Sequence, residues 1–192
     1  MTGASFGTAG GSARKGGDWA ASNGAARVGA DGERRTAELL GALVNAGATV
    51  LHDLRVPISG VKANIDHVVV SGRTVLIIDS KVWAPGIYWT LGGHTRRGRE
   101  SFPPADKKTI PMILPALERH LAGTRAKLAT PLLIVWPSRP GPTSFLFAST
   151  PAARLVAAHR GIAAVLAQLG TVKPADDTIA IRLRQLVIRP HR

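Results

Sequence analysis

The chain has 192 residues, 45% of them hydrophobic, enough for one domain with a buried core. Lysine and arginine number 25 against 12 acidic residues, a net charge of +13 that points to a polyanionic partner, nucleic acid before an anionic membrane surface; a solubility bias or the Arg and Ala richness of a GC-rich genome would give the same excess. With no cysteine, disulfides, thiolate zinc sites and cysteine nucleophiles are excluded, and no apolar run approaches the roughly 20 residues of a membrane helix.

Residues 1–25 are rich in Gly, Ala and Ser and read as a flexible tail, since such a composition buries too little surface to offset ordering. Trp19 is the one large apolar residue there with a reason to dock. Arg14-Lys15 is not followed by an apolar run, so a signal peptide is not expected and a cytoplasmic protein is. Residues 26–192 read as a single domain.

A helix is expected over residues 26–45, ended at Gly47. Ala37, Leu40 and Val44 share a stripe that also takes in Glu33, whereas Glu38 lies about 140° away. A strand follows at 49–54 and a turn at 57–60. Residues 65–81 read as two apolar arms joined at Ser71-Gly72. The strand breaks at 82–86 and resumes at 87–90. A basic loop is expected at 92–99, with His94, Arg96, Arg97 and Arg99. Beyond it come a helix within 105–121, its start blurred by Pro111 and Pro115, a strand at 132–136 and a weaker one at 144–148. A helix at 151–169 stops at Gly170, and a last helix capped by Asp176 or Asp177 reaches 187, with a strand as its rival. No internal repeat is present. The order predicts an α/β domain with a mixed sheet.

Asp66, Asp79 and Lys81 interrupt the apolar hairpin, where charge is costly and needs a reason. If Ser71 to Thr74 form its loop, Val70 pairs with Val75, and the same register sets Asp66 opposite Asp79, with Cβ atoms about 4.5–5.5 Å apart. Alternation along the strand then puts Lys81 on the same face, while His67 points to the other as a core histidine. A one-residue slip would reverse these faces. Two carboxylates this close bind a proton or a cation. Oxygen ligands favour Mg²⁺ or Mn²⁺, and Glu33 offers a third carboxylate. Lys81 would orient or deprotonate a water, or stabilise charge on a phosphate. In a basic protein this set suggests phosphodiester hydrolysis.

Asp66 followed by Asp79-Ser80-Lys81 resembles the PD-(D/E)XK nuclease signature, and more narrowly that of the nuclease-related domain, NERD. The matching pieces are Gly32-Glu33-Arg34, Leu51-His52-Asp53-Leu54, Ile65-Asp66-His67, and Ile78-Asp79-Ser80-Lys81 with Trp83 and Gly86, within about residues 28–90. The resemblance implies a restriction-endonuclease-like fold, a central mixed sheet flanked by helices. It implies Asp66 and Asp79 as metal ligands, Lys81 as the catalytic lysine and Glu33 as the helix acid, with Mg²⁺ or Mn²⁺ as cofactor. Family members carry a polar residue on a following helix, for which Lys107 and Lys108 are the nearest candidates.

Outside that set, Trp83 and Trp89 read as packing residues near the site. Arg96, Arg97 and Arg99 read either as a solvated turn or as phosphate contacts. His52 and Asp53 match the family without an evident chemical role, and His120 and His159 carry no readable signal. The leading expectation is a divalent-metal-dependent nuclease acting on DNA, with RNA not excluded. The alternatives are a non-catalytic nucleic-acid-binding module on a degenerate nuclease fold, and a structural or protein-interaction domain.

Overall fold

In the computed structural model, residues 3–11, 23–61, 63–106 and 108–188 are described. The chain runs β1 (Ala4–Phe6), α1 (Asn23–Asn45), β2 (Thr49–Arg55), β3 (Asn64–Ser71), β4 (Thr74–Trp83), β5 (Gly86–Leu91), β6 (His94–Arg97) and β7 (Glu100–Ser101). It continues through α2 (Thr109–His120), β8 (Lys127–Leu128), β9 (Leu132–Pro137), β10 (Thr143–Phe145), β11 (Arg154–Ala157), α3 (Gly161–Leu169) and α4 (Asp177–Arg184). The main sheet has the order β1-β2-β3-β4-β9-β11, with β8 also paired to β4. The β2-β3-β4 meander is antiparallel, whereas β1 on β2, β9 on β4 and β11 on β9 are parallel. The sheet is therefore mixed, as expected.

Alternation along the apolar strands gives each face its own core. Val50, Val69, Leu76, Ile78 and Ile134 meet Leu40 and Leu43 of α1 and Ala164 and Val165 of α3. Leu51, Val68, Val70, Val75 and Ile77 meet Ile113 and Leu117 of α2 and Ile179 and Leu183 of α4. Two helices thus cover each side. A second sheet, β10-β5-β6-β7, packs through Tyr88, Phe102 and Phe145 on Trp83 at the end of β4.

The helix end at Gly47 is as read: Gly47 takes φ 104, its N–H bonds Val44 O at 3.0 Å, and Ala48 N–H bonds Leu43 O at 3.0 Å, a Schellman closure. The hairpin keeps its expected register, with Val70 opposite Val75, and adds one more pair, Ser71 with Thr74. The turn is therefore Gly72-Arg73, with Gly72 at φ 54. The Asp176 cap is also present, its carboxylate accepting from Thr178 and Ile179 N–H.

Three expectations need correction. The reading of residues 1–25 as a flexible tail does not hold for 3–11, because Ala4–Phe6 pair in register with Thr49, Val50 and Leu51. The open backbone edge of β2 orders a segment that composition alone could not. The rest of that stretch, Trp19 included, lies outside the described residues. The helix at 151–169 begins only at Gly161, since Arg154–Ala157 instead extend the sheet along the free edge of β9. Its alanine-rich pattern favours helix, but a parallel partner outweighs propensity. The basic loop at 92–99 contains β6, paired with β5. The helix expected within 105–121 is present as α2, starting at Thr109 after a 3-10 turn at Pro103–Asp106.

Candidate active site at the end of the central hairpin

The charged residues gather where β4 leaves the antiparallel meander. Asp79 and Lys81 lie two apart on β4, opposite Leu133 and Val135 of β9. The β3-β4 ladder is paired up to His67 and Ile78. The next position on β3 is Asp66, whose Oδ2 accepts the Ser80 N–H at 2.8 Å. Lys81 Nζ contacts Asp79 Oδ2 and lies 3.9 Å from Asp66 Oδ2, so one ammonium faces both carboxylates. The three residues converge, although the ladder stops one pair short of the expected Asp66–Asp79 pairing.

Their electrostatics follow from burial. Asp66 is only 7% exposed. Burial pushes its carboxyl well above the usual range and Asp79 pushes it further, against the opposing pull of Lys81. Burial works against the Lys81 charge, but Asp79 and Asp66 outweigh it, and the ammonium is held above its ordinary value. The cluster is short of positive charge even with its lysine in place.

Glu33 stands near this group but is held elsewhere. Its Oε2 accepts the Gly10 N–H at 2.8 Å, from the segment after β1. Burial raises its pKa, the Gly10 N–H lowers it, and Asp53, Lys81 and Asp79 all act on it electrostatically. Among the described residues, no three His, Asp or Glu side chains form a metal-binding group. The two aspartates are thus brought together by the sheet, while Glu33 bonds Gly10 and feels Lys81 and Asp79 electrostatically.

Gly32 sets how closely α1 can approach. A Cβ there would come within 2.6 Å of Val82 Cγ2, on a stiff β-branched side chain. Gly32→Ala is expected to destabilise the fold by about 1–3 kcal/mol, despite the roughly 1 kcal/mol that alanine gains over glycine in a helix interior. Denaturant unfolding measures the difference. A stabilised variant would show that α1 is not in tight contact with β4.

The basic candidates lie apart from the carboxylates. Arg96 and Arg99 are exposed on and after β6, Arg96 lying 5.7 Å over the Trp89 ring and donating to Arg99 O. Arg97 is paired with Glu100 at 2.7 Å. Lys108 is exposed at the start of α2, and Lys107 lies outside the described residues. Trp83 is 6% exposed, in an aromatic cluster with Tyr88, Phe102 and Phe145, as a packing role requires.

On the opposite face of β4 lies a buried polar network that sequence reasoning missed. His67 is fully buried and touches His52, Nδ1 to Nδ1, at 2.8 Å. Its Nε2 meets Ser80 Oγ at 3.1 Å, and Ser80 Oγ bonds Thr36 Oγ1 of α1 at 2.8 Å. Burial, then His52 and Lys81, lower His67 to about 3, so the ring is neutral at ordinary pH. The available signal was Ser80 itself, a hydroxyl at an inward position of an apolar strand. Asp53, also unassigned, is buried at φ 53 and accepts from Asn64 Nδ2 at 2.9 Å.

No curated protein and no solved structure matches the chain. A family model, the nuclease-related domain, matches residues 28–132. The match runs from α1 through the hairpin to the start of β9, and so contains every residue of the carboxylate–lysine group. Covering more than half of the chain, it establishes that this protein belongs to the nuclease-related domain family.

Proposed function

We propose that the protein is a divalent-metal-dependent nuclease hydrolysing DNA phosphodiester bonds, with Asp66, Asp79 and Lys81 as its reacting group. The observation that carries this reading is the convergence of two carboxylates on one lysine at a strand end, within the matched family region. The donors suit a hard cation: both are carboxylate oxygens, and the buried one is raised by burial and then by its neighbour's charge. Asp66 and Asp79 would hold Mg²⁺ or Mn²⁺, with Glu33 supporting from α1. When bound, that ion supplies Lewis-acid activation of a phosphoryl oxygen and of a water.

The protein's own groups do the rest. Lys81 stabilises negative charge developing on the phosphate and orients the water. The Ser80 N–H fixes one Asp66 oxygen and leaves the other for the reacting centre. The net charge of +13 would draw the DNA backbone with little sequence preference, and Arg96, Arg99 and Lys108 present exposed cations for it.

A second reading has its own observation. Lys81 sits directly on Asp79, and among the described residues no three-ligand group is assembled; a nucleic-acid-binding module that does not turn over would look like this. A cleavage assay with Mg²⁺ or Mn²⁺ on linear, supercoiled and branched DNA separates the two. Wild type is expected to cut, and Asp79→Ala to lose at least about 10²-fold in rate. Equal residual cutting by both proteins would remove the proposed site, and binding without cutting under either metal would favour the module. Binding should weaken steeply with added salt.

A further inference from the structure

The buried network behind the site has a direction, and its ends determine it. The Gly32 carbonyl can only accept, so the single proton of Thr36 Oγ1 goes to it, at 3.0 Å. The Trp136 indole N–H can only donate, and it takes one lone pair of the same hydroxyl at 2.8 Å. Thr36 is left to accept from Ser80 Oγ, at 2.8 Å. Ser80 has then given up its proton and must accept from His67 Nε2–H. His67 Nδ1 therefore carries no proton and accepts from His52 Nδ1–H. His52 Nε2 in turn accepts from Ser5 Oγ, at 3.3 Å. Every member is satisfied, and both rings are neutral with one tautomer each.

The chain ties together every element that carries the site. His67 adjoins Asp66 on β3, and Ser80 lies between Asp79 and Lys81 on β4. Thr36 is one helical turn from Glu33 on α1, and Trp136 stands on β9 opposite Val82. We propose that His67 is a positioning residue, acting through Ser80: its Nε2–H bond holds the Ser80 peptide, whose N–H orients the Asp66 carboxylate against Asp79 and Lys81. His52, Thr36 and Trp136 fix the polarity that makes His67 the donor. The buried bonds among His52, His67, Ser80 and Thr36 restrict rotation of the reacting group from behind.

This rests on the nuclease reading for its functional consequence, whereas the network itself is testable without any cleavage. Imidazole ¹⁵N spectra of the full, metal-free chain are expected to show His67 protonated at Nε2 alone and His52 at Nδ1 alone. The opposite tautomers, averaged shifts or a doubly protonated ring would overturn the proposal. His67→Leu removes the donor, whereas His67→Gln keeps an amide N–H for Ser80 and a carbonyl for His52. Hydrogen exchange at the Ser80 amide should quicken at least about tenfold in the leucine variant, relative to the core amide of Leu76, and return toward wild type in the glutamine variant. Equal exchange in both variants, or a uniform rise across β4, would reduce the network to ordinary core packing. If DNA is cut, kcat should follow the same order at unchanged KM. If wild type cuts nothing, the spectra and the exchange still decide the positioning claim, and the nuclease reading fails separately.

Discussion

Lys81→Met is expected to lower DNA cleavage by roughly 10²–10³-fold while DNA binding changes by less than about threefold. The variant keeps the length of the side chain and removes only the ammonium, which contacts Asp79 and lies 3.9 Å from Asp66. Long-range attraction of DNA barely changes, because the chain carries +13. The loss therefore falls on the chemical step, and single-turnover rates beside a binding isotherm separate the two. A large loss of binding with an unchanged single-turnover rate would make Lys81 a phosphate anchor and nothing more.

The same variant has a second signature in stability. Lys81 opposes the rise in the Asp66 pKa, so its removal lifts that pKa further. A carboxyl raised in the folded state favours folding below its unfolded value, and that contribution is lost as pH rises through the folded value. Lys81→Met should therefore lose most stability at pH 8 and least near pH 4. Unfolding midpoints at both values test the sign.

Asp66→Asn is expected to stabilise the fold by about 1–2 kcal/mol at pH 8 while abolishing cleavage. Asn retains an oxygen for the Ser80 N–H and removes a buried charge that is pressed against Asp79. The gain should shrink toward pH 4, where Asp66 in the wild type takes up a proton as its raised pKa requires. For a chain of this size it corresponds to roughly 2–8 °C in Tm. Loss of stability at both pH values would mean that the carboxylate is compensated by Lys81 and is not strained. A gain together with lost cleavage would identify Asp66 as a residue kept for function at a cost in stability.

The hairpin was legible because its register is local. A short loop joins two apolar strands, so pairing in step from Val70 and Val75 determines which side chains share a face. Asp66, Asp79 and Lys81 needed no distant contact to be found. Glu33 was legible only as far as its helix stripe; its bond to Gly10 depends on a segment that composition assigned to a tail. The strand at Arg154–Ala157 was hidden for a related reason, since its partner, β9, comes from an earlier stretch of the chain and an alanine-rich pattern favours helix.

By itself, then, the sequence determined the two strands, the face that carries the charges, the inward direction of His67, the capped end at Gly47, and the likeness to the nuclease-related domain. These depend on side-chain alternation, short-loop pairing and capping chemistry, all of which act within a few residues. Only the tertiary structure decided that β1 pairs along the edge of β2, that Asp176 caps α4, that Glu33 bonds Gly10, and that Ser5, His52, His67, Ser80, Thr36 and Trp136 join in one directed chain. Those contacts unite segments up to 100 residues apart. Burial makes the polar groups of His52, His67, Ser80 and Thr36 find partners, and only the packed fold brings those partners within reach.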